Sequence, residues 1–328
     1  MGDKTKIEWT DATWNPVIGC SKVSAGCQNC YAESVAARFA IQHKDGEFKG
    51  YYYDVMHFTD YEQWVWSGET VRKQPRFNPL KATKPRTILV CSMGDLFHES
   101  VPDEWIDEVI AVIYRTPQHR YMILTKRPAS MNRYFFKGGV VRVTGEYDYV
   151  LPNLALGVSI EDQKTADDRI PILLQTPAEK LFVSYEPALG AVKMADEWLE
   201  ICSECGGTGV ECESARIACC PDCRHGKIRG LDLVIMGGES GPKARPTHPD
   251  WARSMRDQCK ASGVPFHFKQ WGKWVYPSQM TEKTFRAWDY WHGTENHHPK
   301  PWGFTKQQAG RLLDGVEHNG VIDWGISR

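Results

Sequence analysis

The chain has 328 residues, of which 41% are hydrophobic and 25% charged, with a formal net charge of -1. This length allows one large α/β domain with insertions or two ordinary domains, and the neutral total gives no bulk signal for nucleic-acid binding, although it can hide a basic face. No apolar run approaches the roughly 20 residues of a membrane span. Residues 1–6 lead into a polar, Trp-containing stretch rather than an apolar signal region, so a cytoplasmic chain with no membrane partner is expected.

From the N-terminus, the first feature is Cys20, Cys27 and Cys30 in a C-x6-C-x2-C spacing, with Gly19 and Gly26 each preceding a cysteine. In a reducing compartment such cysteines predict metal ligation rather than disulfides. Three thiolates fit three irons of a [4Fe-4S] cluster and leave the fourth iron open to a ligand. The glycines let the loop bend around a bulky group. Zinc is the first alternative, but no fourth ligand is obvious, since His43 lies at the far end of the next helix. A metal-free trio is the second. Residues 31–42 read as a helix leaving the loop. Residues 44–85, with Tyr51, Tyr52, Tyr53, Trp64 and Trp66, read as a lid or insertion.

Six short apolar runs come next, at 87–91, 121–125, 154–158, 180–184, 231–236 and 265–269. Runs of this kind without polar alternation predict strands covered on both faces, as in a parallel sheet. Helical patterns lie between several of them. The clearest is 103–114, behind Pro102, with Trp105, Ile106, Val109, Ile110 and Ile113 on one stripe. Others are at 163–174 and 249–261. The alternation predicts a (βα)-repeat sheet, barrel-like or doubly wound, with its chemistry at the C-terminal strand ends. Asp95, Lys126, Arg127, Ser159, Glu161, Glu186, Gly237, Gly238, Glu239 and Gln270 sit just after the six runs. Polar groups at six successive strand ends predict a shared pocket. Cys91 and Cys259 fall in apolar segments and read as buried structural thiols.

A second cluster holds Cys202, Cys205, Cys212, Cys219, Cys220 and Cys223. Two C-x2-C pairs separated by residues 206–219 predict a structural zinc on Cys202, Cys205, Cys220 and Cys223. The metal staples a ribbon-like insertion at 200–230 that is too short for its own core. Its Cys-x-x-Cys-Gly-Gly-Thr-Gly stretch resembles the zinc hairpins of DnaJ-type chaperones. An auxiliary iron–sulfur cluster using Cys212 or Cys219 is the alternative. Residues 273–328, with Trp274, Trp288, Trp291, Trp302 and Trp324 among Gly, His and Pro, read as an irregular cap carrying one short helix at 307–313. No fixed-period repeat suggests a solenoid.

Asn15-Pro16-Val17-Ile18-Gly19-Cys20, followed by Cys27-Gln28-Asn29-Cys30-Tyr31-Ala32, resembles the cluster loop of radical S-adenosylmethionine (radical SAM) proteins related to spore photoproduct lyase. More closely, the chain resembles a phage-borne, radical-SAM-like family with a Trp-Asn-Pro…Gly-Cys…Gly-Cys…Cys-Tyr-Ala-Glu signature. The likeness continues through Ser92-Met93-Gly94-Asp95-Leu96-Phe97-His98-Glu99, Leu124-Thr125-Lys126-Arg127, Ser184-Tyr185-Glu186-Pro187, Gly237-Gly238-Glu239-Ser240-Gly241 and Lys269-Gln270-Trp271-Gly272. One departure is plain: the usual first gap is three residues, here six, and the aromatic follows the last cysteine as Tyr31.

The resemblance implies a partial (βα)6-type, TIM-like barrel over residues 1–272. It implies S-adenosylmethionine on the open iron, reductive cleavage to a 5′-deoxyadenosyl radical, and hydrogen abstraction from a substrate. Asp95 would accept from the methionine amine or a ribose hydroxyl, and Lys126 or Arg127 would pair the methionine carboxylate. Ser159, Glu161 and Glu186 would serve ribose or substrate, and Gly237 and Gly238, with Glu239 beside them, would let the backbone approach adenosine. The first expectation for the substrate is nucleic acid or a nucleotide, helped by Tyr51, Trp64 and Trp66 interleaved with Arg72, Lys73 and Arg76. An electron donor such as flavodoxin or ferredoxin is expected. A non-catalytic metal-bearing binding module and a cluster-based electron-transfer or redox-sensing protein are the competing readings.

Overall fold

The computed structural model describes residues 5, 7–40, 50–75, 77–147, 149–199, 230–282 and 302–325. The four cysteines assigned to zinc, and Cys212 and Cys219 with them, lie outside the described residues. The chain divides into two compact units, residues 1–159 with 176–180, and residues 160–175 with 181–328.

The strands of the first unit are β1 (Ala12–Trp14), β2 (Thr87–Val90), β3 (Arg120–Thr125) and β4 (Leu154–Ile160), paired in parallel in that order. Those of the second are β5 (Lys180–Tyr185), β6 (Leu233–Gly237) and β7 (Phe266–Gln270), again parallel and in order. Within each unit the parallel strands follow one another in sequence order. The fold is mixed α/β.

All six strands expected from the apolar runs are present. Their burial explains why the runs lack alternation: every residue of β4 is buried, and so are the last five of β5. The seventh strand, β1, was not expected from the sequence. It is only three residues long, and its Thr13 interrupts the apolar signal although all three side chains are buried.

Helix α1 (Tyr31–Ala40) leaves the cysteine loop. Helix α2 (Asp103–Arg115) buries Ile106, Val109, Ile110 and Ile113, four of the five residues of the expected stripe. The sequence reading does not predict α3 (Pro128–Phe136), α4 (Gly139–Thr144) or the single helical turn Asp196–Leu199. Helices α5 (Gln163–Gln175) and α6 (Pro249–Ala261) match expectation to within a residue. The short helix expected at 307–313 is smaller, Lys306–Ala309. Leu312–Leu313 instead pairs with Val316–Glu317 in a hairpin turned by Asp314 and Gly315, both at positive φ.

The described part of residues 44–85 packs on the helix that leaves the cysteines. Its hairpin, Met56–Phe58 with Trp64–Trp66, contributes Met56 and Trp66 to a core cluster with Ile18, Ala36, Ala40 and Met93. Val71–Arg72 pairs antiparallel with Val17–Ile18, just ahead of Cys20.

Candidate metal-loop site

The loop that carries the cysteines is fixed before the first of them. The Asn15 side-chain carbonyl accepts from the Met93 N–H at 3.0 Å and the Ser92 hydroxyl at 3.2 Å. The Gly19 N–H donates to the Met93 carbonyl at 3.1 Å, and Gly19 bridges Gly94 in parallel. Gly19 has φ +97°, and a Cβ there would lie 2.2 Å from the Glu69 carbonyl oxygen. Glycine is therefore required at 19 by the crowding of chain on chain. Since Gly94 follows β2 and Asn15 follows β1, the loop is seated on C-terminal strand ends.

Beyond Cys20 the chain arcs through exposed Lys22 and Val23 to the 3-10 turn Ala25–Cys27. The Cys27 N–H donates to the Ser24 carbonyl at 3.0 Å, and the Cys30 carbonyl accepts from the Ser34 N–H and hydroxyl, each at 3.0 Å. This sets Cys30 at the first turn of α1. Cys27 is buried, Cys20 and Cys30 are half-buried, and all three are free thiols. Glu33 ties the arc to the aromatic hairpin: its carboxylate accepts from the Trp66 N–H at 3.0 Å and pairs with Lys22 at 2.8 Å.

Arg127, immediately beyond β3, is the hub of the site. Nε donates to both Glu99 carboxylate oxygens at 2.8 and 2.9 Å. Nη1 donates to Asp95 at 3.1 Å and to the Cys20 sulfur at 3.6 Å, a normal reach for so large an acceptor. Nη2 donates to the Ser21 hydroxyl at 2.7 Å and carbonyl at 3.3 Å. All five guanidinium N–H groups thus have acceptors. Asp95, itself buried, also accepts from the Thr125 hydroxyl at 2.7 Å and from the backbone N–H groups of Phe97 and Lys126 at 3.0 and 3.3 Å. Its carboxylate is engaged by strand ends and by Arg127.

His98 completes the network. Its Nδ1 accepts from the Ser100 N–H at 3.1 Å, which in a neutral ring leaves the proton on Nε2. Nε2 then donates to the Ser21 hydroxyl at 2.8 Å. Burial, aided by the Arg127 charge, holds the imidazole below its ordinary pKa, against the pull of Glu99 and Asp95. The sequence placed His98 and Glu99 inside a recognised motif but gave neither a role; the signal was the Asp-x-x-His-Glu spacing after β2.

Burial pushes the Cys20 thiol up to about 12, with Asp95 adding to the rise, Arg127 opposing it, and Cys30 adding a further share. A free Cys20 is therefore neutral at pH 7, and a metal must displace its proton. Among the described residues no three His, Cys, Asp or Glu side chains converge as ligands of one metal ion. A [4Fe-4S] cluster distributes its thiolates over separate irons, so its cysteines need not converge on one point. The three free thiols Cys20, Cys27 and Cys30 are the residues of this loop that could hold such a group.

The remaining expected residues fall mostly in the second unit. Glu161 is fully buried and pairs with Arg169 at 3.2 Å. Glu186 pairs with Lys269 at 3.0 Å and accepts from the Ser184 hydroxyl at 3.1 Å, and the Glu186–Pro187 bond is cis. Glu239 is buried and gripped by Arg245 through Nε at 2.9 Å, Nη2 at 2.6 Å and the backbone N–H at 2.8 Å. A Cβ on Gly237 would meet the Glu186 carboxylate at 2.4 Å, and one on Gly238 the Trp271 carbonyl at 2.0 Å. The space left by both glycines is thus filled by this chain itself. Ser159, at the end of β4, is buried in the first unit.

No curated protein and no solved structure matches the chain. No helix among the described residues is long and apolar enough to cross a membrane. One family model, described as "Protein of unknown function (DUF5131)", matches residues 4–321, nearly the full length, and the chain belongs to that family.

Proposed function

We propose that the chain is a radical SAM-type enzyme whose [4Fe-4S] cluster is held by Cys20, Cys27 and Cys30. The observation that carries the reading is the seat of the three-cysteine loop. It is anchored by Asn15 and by the Gly19–Gly94 bridge at the C-terminal ends of β1 and β2, where (βα) enzymes assemble their chemistry. The in-order parallel strands of each unit support a partial (βα)6-type barrel as the finer description of the fold.

Such a cluster, with S-adenosylmethionine on its open iron, supplies reductive cleavage of the sulfonium and so hydrogen abstraction. The chain's own residues bind and orient. Arg127 is committed to carboxylates, Ser21 and the Cys20 sulfur, so Lys126 is the residue we assign to the methionine carboxylate. Ser159 is the candidate for ribose in the first unit. Glu161 and Glu186 remain candidates for ribose or substrate, each already tied to a cation. The spacing of Cys202, Cys205, Cys220 and Cys223 supports a structural zinc.

A nucleic acid or nucleotide substrate is favoured by exposed aromatic rings on the hairpin side: Tyr51, Tyr53, Phe58 and Tyr61. The phosphate-seeking charge is weaker than the sequence suggests, because Arg72 pairs with Glu108 and Lys73 with Asp54. The reductant is proposed to be a flavodoxin- or ferredoxin-type donor.

The test is anaerobic reconstitution with iron and sulfide, then reduction with S-adenosylmethionine present. About four irons per chain and accumulation of 5′-deoxyadenosine and methionine are expected. A brown protein that is reduced without cleaving the cofactor would favour the electron-transfer reading. A colourless protein holding zinc alone would favour the binding module.

A further inference from the structure

We infer that Arg127 is a positioning residue for the metal loop: its guanidinium, locked on three sides, donates an N–H to the Cys20 sulfur and so fixes that ligand and sets the reduction potential of the group it holds. This deepens the cluster reading above and rests on it.

The geometry separates Arg127 from an ordinary surface ion pair. Its side chain is 4% exposed. Three residues other than Cys20 hold it from different directions: Asp95 at 3.1 Å, Glu99 at 2.8 Å and Ser21 through its hydroxyl at 2.7 Å. Those acceptors are braced in turn. Asp95 is fixed by Thr125 and two backbone N–H groups, and Ser21 by His98. A guanidinium held this way cannot turn to follow a substrate, so its contact with the sulfur is built in. The carboxylate of a bound ligand could recruit it only by breaking bonds to two acids.

The consequence for a thiolate-ligated cluster follows from charge. A buried N–H donor with a positive charge at one sulfur stabilises the reduced, more negative state over the oxidised one, which raises the potential. Lysine at the same position would keep the charge but lose the planar fork that reaches Glu99, Asp95, Ser21 and Cys20 together.

The experiment compares the reconstituted full-length protein with Arg127→Lys and Arg127→Met. Three quantities are read: iron per chain, circular dichroism, and the midpoint potential from a titration followed by electron paramagnetic resonance. Variants that fold with wild-type iron should show at least a tenfold fall in the reduced-to-oxidised ratio at fixed potential, about 59 mV to the negative for one electron. Arg127→Met should shift further than Arg127→Lys. A folded variant that loses iron roughly 10- to 100-fold faster than wild type to a chelator equally supports positioning. Wild-type potential together with wild-type iron retention in both folded variants overturns the inference. If both variants fail to fold, Glu99→Gln and Ser21→Ala carry the test: each loosens the guanidinium, so unchanged potential and iron retention in both would also overturn it. Absence of iron in the wild-type protein would instead sink the cluster reading.

Discussion

Replacing Gly19 by alanine perturbs the cysteine loop without changing a cysteine. Two costs add. The first is conformational: φ is +97°, where a side chain is strained by about 1–3 kcal/mol. The second is steric, because the new methyl would sit 2.2 Å from the Glu69 carbonyl, 2.9 Å from a Val55 methyl and 3.1 Å from the Thr70 Cα. Two of those three are backbone, so the loop must shift, and overpacking of this kind costs about 1–3 kcal/mol more. Gly68 supplies the control. It has φ +89° with open space around it, so Gly68→Ala carries the conformational cost alone. Thermal unfolding of both variants, metal-free, should give a lower midpoint for Gly19→Ala. With about 2–4 °C lost per kcal/mol in units of this size, the two should differ by at least about 2 °C. Gly19→Ala should also load less iron, since displacement of residue 19 is passed directly to Cys20. Equal midpoints for the two variants would refute the view that Gly19 is held by close chain approach.

Cys27→Ala should lose iron and visible absorbance while keeping zinc; loss of zinc instead would place that metal on the N-terminal loop. Arg169→Met should cost up to about 3–5 kcal/mol, read from the urea midpoint, because it breaks the ion pair of the fully buried Glu161 carboxylate; an unchanged midpoint would mean that this pair contributes nothing to stability. His98 predicts an acid limb. Its folded pKa lies below the ordinary 6.5, so the unfolded chain takes up the proton first, and its share of stability is full above 6.5 and is lost as pH falls through the lower folded value. Urea midpoints between about pH 5 and 7.5 should therefore flatten on the acid side in His98→Gln, and an unchanged slope would remove His98 from the account.

Most of the strands were legible because they are short runs dominated by apolar residues, and such runs arise where both faces are covered. β1 was not, because three residues split by a threonine give no run; its burial comes from β2 beside it rather than from its own composition. Helix α3 carries readable signals: Pro128 at its first turn, and Met131, Tyr134 and Phe135 at helical spacing, all buried. The cysteine loop was legible as a loop from its glycines and spacing, and its seat on the strand ends was not. The role of Arg127 was not, because its partners Asp95, Glu99 and Ser21 come from two other loops, and sequence cannot show which charges meet across a sheet end. The same limit applies to Gly237 and Gly238. Glycine pairs after a strand suggest ligand approach, yet the occupants are the Glu186 carboxylate and the Trp271 backbone.

The exposed arc between the first two cysteines has a consequence for how such a loop could be remodelled. Cys20 is bolted to the strand ends, and Cys27 and Cys30 to a 3-10 turn and a helix, but Lys22, Val23 and Ala25 face outward. Residues could be added next to Val23 with little disturbance to either anchor, while Ser21 and Lys22 stay held by Arg127, His98 and Glu33. The six-residue gap between Cys20 and Cys27 is then a tolerance of the architecture: its rim can be redrawn in the arc while the cysteines stay where they are.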